Sequence, residues 1–270
     1  MFPNLFKIPI FGGLQVHTYG VLLATGFLVA SAFCVHQARR HGEDPQKILD
    51  LCFYILIAAI VGSRIYYVLL ELPYYSSNPL QIFDITRGGL VFYGGVIASI
   101  LTAVFFMRRW KMPIWRTCDL MAPAVPLGVV FGRLGCFAAG CCYGHETDVP
   151  WAVVFTHPDT IADRGVTLHP TQLYASLDGL ILFVALVLLQ RYKRFHGQVF
   201  CAFLIGYAFL RYAIEEPFRS GYRGASFGEI SVSVATGAPV LLVGVALMFI
   251  LGYRARASAS ASPEAGTGNA

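Results

Sequence analysis

Seven long apolar segments dominate this sequence and constrain its fold more than any other feature. A bilayer core about 30 Å thick is crossed by about 20 helical residues, and each segment has about that length. The segments are continuously apolar rather than alternating, so they predict helices and not the strands of a membrane barrel. With 56% of its 270 residues hydrophobic and 13% charged, the chain cannot hide this surface in a water-soluble core. The predicted spans are 18–37, 49–71, 89–107, 119–140, 170–190, 197–216 and 229–252.

We therefore predict an all-α polytopic membrane protein with seven transmembrane helices. One membrane domain is expected over residues 1–256, and the small, polar tail 257–270 is expected to be disordered in the cytoplasm. The amino-terminal residues lack the apolar stretch of a cleavable signal peptide. The seven cysteines are odd in number and lie mostly within apolar segments, so a disulfide framework is not expected.

The distribution of lysine and arginine predicts the orientation in the membrane. Twelve of these residues lie in the connections on one side of the spans and five on the other. Since basic connections stay in the cytoplasm, the amino terminus is expected outside and the carboxyl terminus inside. The net charge of +5 then reflects cytoplasmic connections and not a nucleic-acid surface. The twelve are Arg39, Arg40, Lys47, Arg108, Arg109, Lys111, Arg116, Arg191, Lys193, Arg194, Arg254 and Arg256, and the five are Lys7, Arg87, Arg164, Arg219 and Arg223.

The three remaining basic residues, Arg64, Arg133 and Arg211, lie inside predicted spans two, four and six. Counted from the cytoplasmic ends at Leu49, Asp119 and Gly197, they are 15, 14 and 14 residues in. That corresponds to roughly 21 Å, in the outer half of the bilayer core. An arginine that faced lipid at this depth would be costly, so the three are expected to face one polar cavity.

Other polar residues are predicted near the same level. Tyr19 begins span one and Tyr93 lies among the glycines of GGLVFYGG, which includes Gly94. Tyr207, Arg211 and Glu215 recur at i, i+4 and i+8, so they share one helix face. The guanidinium fork suits bidentate recognition of phosphate. Together these residues predict a cationic pocket that holds the phosphate of a phospholipid headgroup.

Simpler roles for the same residues are also open. Arg211 could be neutralised by Glu215 or Glu216 without any ligand. Tyr19 and Tyr207 could be ordinary aromatic residues of the membrane interface. His17 and His169 could serve only to hydrogen-bond the backbone of their loops. A small-anion transporter or channel is the alternative function, although the inner ends of spans one, three and five offer mostly apolar residues.

Three cysteines follow Arg133 in the stretch GRLGCFAAGCCYG. Their spacing matches no zinc signature, so neither a metal nor another cofactor is predicted. Cysteine is a small residue that is readily buried, which is the favoured interpretation here. A reactive role for Cys136, whose thiol is close in sequence to Arg133, is the second interpretation.

Six ordered motifs resemble those of the bacterial prolipoprotein diacylglyceryl transferase family. They are HTYG, VGSRIYYVL, GGLVFYGG, GRLGCFAAGCCYG, HPTQLY and GYAFLRYAIE. The resemblance runs from about residue 15 to residue 240. The resemblance implies a seven-helix enzyme of the bacterial cytoplasmic (inner) membrane. Such an enzyme moves the diacylglyceryl group of phosphatidylglycerol onto the lipobox cysteine thiol of a prolipoprotein signal peptide. It releases glycerol phosphate, and we expect it to act as a monomer without a cofactor.

The resemblance also implies roles for individual residues. Tyr19 matches the essential tyrosine of the first span, Arg133 matches the central arginine that binds phospholipid, and Arg211 matches the arginine of the sixth span. Gly144 matches the glycine that closes the fourth motif, and Glu215 matches the acid one turn after the sixth-span arginine.

Three positions depart from the family pattern. Tyr93 stands where a histidine is usual, Cys136 in place of an asparagine, and Cys141 in place of an acid. The acceptor thiol must lose a proton, and Tyr93, His17 and Glu215 are the candidate bases. A further option is that the arginine field alone lowers the pKa of the thiol. These departures would also fit a divergent lipid transferase with another acceptor.

Overall fold

The computed structural model describes residues 3–8, 14–84, 88–212, 216–218 and 232–260. These residues form two compact units, and the chain passes from the first to the second within helix α1. Unit 1 contains Met1–Phe33 and Cys118–Ala270, and unit 2 contains Cys34–Thr117.

Nine helices carry most of the described chain. They are α1 (Thr18–His41), α2 (Pro45–Leu70), α3 (Leu72–Ser77), α4 (Phe92–Arg109), α5 (Ile114–Met121), α6 (Ala124–Ala139), α7 (Thr171–Tyr192), α8 (Gln198–Leu210) and α9 (Val232–Ser260). The strands β1 (Asn4–Ile8) and β2 (Leu14–His17) form one antiparallel pair, and β3 (Val153–Val154) and β4 (Thr167–Leu168) form another. Short 3-10 turns cover Pro79–Phe83 and Glu216–Phe218.

The described helices confirm an all-α polytopic membrane protein. Six are long and apolar enough to cross a bilayer, and a seventh apolar helix, Gln198–Leu210, is shorter. The six spans are Thr18–His41, Pro45–Leu70, Phe92–Arg109, Ile114–Ala139, Thr171–Tyr192 and Gly237–Ser258. Many of their apolar side chains are exposed, such as Leu101 at 66% and Phe249 at 73%, as expected for surfaces that contact lipid.

Three spans differ from their predicted bounds by more than four residues at one end. The fourth begins at Ile114 rather than at residue 119 and is divided into α5 and α6 around Pro123, whose ring cannot donate a helical hydrogen bond. The sixth, α8, has 13 residues, about 20 Å, and Arg211, which follows it, still has helical dihedral angles. The last helix continues to Ser260, so residues 257–260 of the predicted tail are helical.

Small residues allow the helices of each unit to pack closely. In unit 1, a Cβ at Gly26 of α1 would lie 2.6 Å from Phe131 Cβ of α6, and one at Gly179 of α7 would lie 3.0 Å from the carbonyl oxygen of Pro126. Gly26 therefore leaves room for the Phe131 side chain, and Gly179 lets the main chains of α6 and α7 approach directly. Such contacts between small residues are typical of membrane helices, which gain little from hydrophobic burial.

Asp119, at the end of α5, is the centre of a buried polar cluster in unit 1. Its carboxylate is completely buried and accepts hydrogen bonds from Lys193 Nζ at 3.0 Å, the Gly197 N–H at 2.9 Å and the Phe200 N–H at 3.0 Å. The two amides belong to the N-cap residue and the first turn of α8, whose own residues cannot satisfy them. One carboxylate thus caps α8 from another helix and also binds the basic connection that precedes it.

Candidate functional site

Tyr19 and Arg133 lie close together in unit 1. Tyr19 is the second residue of α1, and Gly135 of α6 leaves room for its ring. A Cβ at residue 135 would lie 3.0 Å from Tyr19 Cδ2. The Tyr19 hydroxyl is within electrostatic range of the Arg133 guanidinium and of three cysteine thiols. Arg133 is partly buried, and Tyr19 is 39% exposed, so a ligand could contact the phenol.

The three thiols belong to Cys136, Cys141 and Cys142, and their sulfur atoms lie within 4.8 Å of one another. Helix α6 ends at Ala139, and Gly140 turns the chain back with a φ of +69°, a conformation that glycine adopts without strain. The Cys141 N–H then donates to the Cys136 carbonyl at 3.0 Å. The turn therefore brings together cysteines whose linear spacing matches no metal signature.

A second group of polar residues lines a small cavity between α6, α7 and α8. Tyr207 and Arg211 both border it, as does Asp178 of α7, which is 8% exposed. Arg211 follows the last residue of α8, where the negative end of the helix dipole favours a cation. The cavity also includes Val129, which lies one turn before Arg133 on the same face of α6.

Our sequence reasoning did not identify Asp178. An isolated aspartate within the apolar span Thr171–Tyr192 was the available signal, because acidic residues are rare inside membrane helices and generally face the protein interior. It supplies an acidic group beside Arg211 on the same cavity. Glu215, which we expected near Arg211, lies outside the described residues.

Gly144 is enclosed by the loop that leads into α7. A Cβ there would lie 2.6 Å from His169 Cβ and 2.8 Å from Thr171 Cγ2, and it would collide with the carbonyl oxygen of Phe218. The Gly144 N–H also donates to the His169 carbonyl at 2.9 Å. Any side chain would push these segments apart, so the structure gives Gly144 a packing role.

His169 is 6% exposed and connects this loop to α7. Its Nδ1 lies 3.1 Å from the Tyr174 hydroxyl, which accepts a hydrogen bond from Trp151 Nε1 at 2.6 Å. Burial, and to a smaller degree the neighbouring His145, lower the pKa of His169 below its usual value. The ring is therefore neutral at pH 7 and acts as a structural hydrogen-bonding group.

Arg64 has a different environment from the one predicted. All five of its N–H groups donate to backbone carbonyls within unit 2, at 2.7–3.2 Å. The acceptors are the carbonyls of Gln81, Ile82, Asp84, Gly88 and Gly89. The guanidinium also lies over the rings of Tyr67 and Tyr75. We therefore revise its role: Arg64 organises the connection between α2 and α4, and no donor is left for a phosphate.

Gly94 also has a role other than the predicted one. It is buried against α2, where a Cβ would collide with the carbonyl of Gly62 and with Tyr66 Cβ. Helices α2 and α4 therefore meet through their glycines, which gives Gly94 a packing role, and its contact with substrate stays a prediction. Tyr93, in the first turn of α4, is 42% exposed and packs edge-to-face against Phe92.

His17, one of the candidate bases, lies at the end of β2. Its Nδ1 is 2.9 Å from Asn4 Oδ1, and Asn4 Nδ2 donates to Asp159 Oδ2 at 2.7 Å. These contacts tie the amino-terminal hairpin to the long connection before α7. They favour a structural role for His17.

Comparisons with known proteins agree with this architecture. The prolipoprotein diacylglyceryl transferase family matches residues 3–250. The chain is similar to the phosphatidylglycerol–prolipoprotein diacylglyceryl transferases of Finegoldia magna (34% identity over 87% of this chain and 91% of the relative) and Geobacter sulfurreducens (34%, 93% and 96%). The enzyme of the same name from Methylibium petroleiphilum is 37% identical over 90% of this chain and 95% of its own length. With matches of this extent, the chain belongs to the prolipoprotein diacylglyceryl transferase family.

Proposed function

We propose that this protein transfers the diacylglyceryl group of phosphatidylglycerol to the lipobox cysteine thiol of an exported prolipoprotein and releases glycerol phosphate. The observation that carries the proposal is that the Tyr19 phenol lies within electrostatic range of Arg133, a cation on a membrane-spanning helix. Family membership and the names of the relatives point to the same reaction.

Arg133 is proposed to bind the lipid phosphate and to stabilise the negative charge that develops on the leaving glycerol phosphate. A guanidinium held in place before the reaction stabilises such charge better than water does, because it need not reorient. Tyr19 is exposed enough to donate a hydrogen bond to the same headgroup. Arg211 and Tyr207 are proposed to act from the neighbouring cavity, where Asp178 supplies an acidic group close by.

The attacking group is proposed to be the thiolate of the acceptor cysteine, since the thiolate and not the thiol is the nucleophile. From its place in the sequence motif, Tyr93 is our proposal for the group that takes the thiol proton, a role in which its phenol must first be ionised to the phenolate. Tyr93→Phe removes the phenol with little change in shape. We expect a slower transfer at saturating lipid, and an unchanged rate would assign Tyr93 to packing.

The protein is further proposed to be a monomer in the bacterial cytoplasmic membrane, with the amino terminus outside and the carboxyl terminus in the cytoplasm. Basic residues support this orientation, since α1 and α4 both end in arginine pairs on the predicted cytoplasmic side. Lys193, on the same predicted side, is held by Asp119.

Complementation tests the proposed reaction. The chain is expressed in a strain depleted of its own diacylglyceryl transferase, and the terminal cysteine of a reporter lipoprotein is examined by mass spectrometry. We expect the diacylglyceryl modification with the parent chain and at least a hundredfold less with Arg133→Ala, similar to the loss of a preorganised charge-stabilising group. Arg164→Ala, which changes an exposed loop arginine, is the matched control.

Both variants must be present in the membrane in parental amounts for the comparison to hold. A reporter that stays unmodified with the parent chain would contradict the proposed reaction. Near-parental modification with Arg133→Ala would contradict the phosphate role. Uptake of a labelled anion without any modification would instead favour the transporter alternative.

A further inference from the structure

Three thiols converge at the carboxyl end of α6. The sulfur atoms of Cys136, Cys141 and Cys142 lie within 4.8 Å of one another. Within the described ranges, no other group of three His, Cys, Asp or Glu side chains meets this criterion for holding a metal ion. All three residues are partly buried, so an ion could reach them without unfolding the loop.

Helix α7 holds the loop that carries two of these cysteines. Thr171 Oγ1 donates to the Cys142 carbonyl at 2.7 Å, and Gln172 Nε2 donates to the Cys141 carbonyl at 2.8 Å. Cys142 has a φ of +64°, which a residue other than glycine rarely adopts. The arrangement of the cysteines is therefore imposed by contacts from a second helix and not by the local preference of the chain.

We propose that Cys136, Cys141 and Cys142 bind one thiophilic d10 cation, Zn²⁺ or Cu⁺, through their three sulfur atoms. Soft thiolate ligands select such ions. A metal–sulfur distance of about 2.3 Å places neighbouring sulfur atoms about 3.8–4.0 Å apart. From their present positions the sulfur atoms need to close by no more than about 1 Å, within the range of side-chain rotation. Binding releases the thiol protons to solvent as the three thiolates form.

Two neighbouring groups fit such an ion. Three thiolates and a divalent cation carry one net negative charge, and Arg133 lies one turn before Cys136 on the same face of α6, where it offsets that charge. Gln172 is completely buried, and its Oε1 has no hydrogen-bond partner among the described residues. Because its amide nitrogen donates to the Cys141 carbonyl, Gln172 lies against a residue that carries one of the three thiols.

Cadmium titration of the full chain, purified under reducing conditions in detergent, tests the proposal. Cd²⁺ replaces Zn²⁺ in thiolate sites and gives a thiolate-to-metal charge-transfer absorption in the ultraviolet. We expect one equivalent of Cd²⁺ to bind, and Cys141→Ser to weaken its affinity at least about tenfold, the lower end of what even outer-shell partners contribute. Cys142→Asn is the second variant, since asparagine tolerates a positive φ and removes the thiol.

Cys52→Ala is the matched control, because Cys52 lies beside Cys34 in unit 2, away in sequence from the three thiols. It should leave the stoichiometry and affinity unchanged. The proposal is overturned if no charge-transfer band forms, or if the Cys141→Ser and Cys142→Asn variants bind Cd²⁺ as the parent does. The assay measures binding and not lipid transfer, so its outcome is independent of the proposed function.

Discussion

Tyr19 packs directly against Gly135: a Cβ built at residue 135 would lie 3.0 Å from Tyr19 Cδ2 and 3.3 Å from Tyr19 Cα. The first contact involves the ring and the second the main chain, so both parts of Tyr19 pack against Gly135. Helix α6 thereby sets the position of the phenol relative to Arg133, which lies two residues before this glycine. The size of residue 135 is thus coupled to the geometry of the candidate site.

Gly135→Ala should displace Tyr19 and reduce diacylglyceryl transfer about tenfold. A shift below 1 Å is enough for such a loss, since a misplacement of 1 Å can cost about a hundredfold. Gly132→Ala is the control, because a Cβ there would come no closer than 3.9 Å to Leu23 Cδ1. Transfer to a reporter lipoprotein, corrected for the amount of folded enzyme, is the measurement. Equal activity in the two variants would show that the contact does not position Tyr19.

Arg64→Met should destabilise unit 2 by at least about 3 kcal/mol. The substitution leaves five carbonyls without their charged donor, and each hydrogen bond to a charged group is worth about 1.5–3 kcal/mol, although such values do not add fully. The stability of Arg64→Lys should lie between that of the parent and that of Arg64→Met, since lysine keeps the charge but lacks the five-donor fork.

Thermal unfolding in detergent and limited proteolysis between α3 and α4 measure this effect. Arg40→Met, which changes an exposed arginine at the end of α1, is the control. If Arg64→Met is cleaved no faster than the parent, the loop does not depend on this arginine.

Asp119→Ala should destabilise unit 1 by about 3–5 kcal/mol, because it leaves the partly buried Lys193 ammonium without its partner. It also removes the acceptor for two amides of α8. Asp119→Asn keeps one acceptor oxygen and should lose less. The midpoint of thermal unfolding, followed by circular dichroism, provides the comparison. An Asn variant as unstable as the Ala variant would mean that the charge of Asp119, and not its capping role, dominates.

Acid should loosen the loop around Gly144. Because the pKa of His169 is lowered in the folded protein, the unfolded segment binds protons more readily. The contribution of neutral His169 is present above pH 6.5, its usual pKa, and is lost as the pH falls below that value. Amide hydrogen exchange at Gly144 and at His169, corrected for intrinsic rates, should show lower protection at pH 5.5 than at pH 7.5.

His169→Gln should flatten this pH dependence while keeping a hydrogen-bonding side chain beside Tyr174. His157→Gln, in the same connection, serves as the control and should leave the slope in place. A slope that persists in His169→Gln would assign the titration to another group.

Sequence reasoning recovered the spans because their signal is local. An apolar run of about 20 residues defines a membrane helix wherever it lies in the chain, so the class and the six long spans followed directly. The break at Pro123 and the start of α8 were less predictable, since each depends on which partner satisfies the freed backbone groups. Asp119 illustrates this dependence, because it caps α8 from 78 residues away.

The residues of the candidate site also fall into those with a local sequence signal and those that depend on distant partners. Sequence motifs identified Tyr19, Arg133 and Arg211, because a charge or phenol inside an apolar run stands out without any structure. Depth alone could not separate Arg64 from the other arginines, since its five acceptors are backbone carbonyls of a loop, which carry no side-chain signal.

The sequence by itself determined the membrane class, the family and the positions of the polar residues along the spans, because these depend on residue type and spacing along one helix. Only the tertiary structure decided which polar groups meet. Three thiols lie within 4.8 Å of one another because the chain turns at Gly140 and because Thr171 and Gln172 hold the loop. Tyr19 lies near Arg133 because Gly135 has no Cβ to displace it. Such contacts depend on how segments that are distant in the chain are placed in space, which no local sequence pattern encodes.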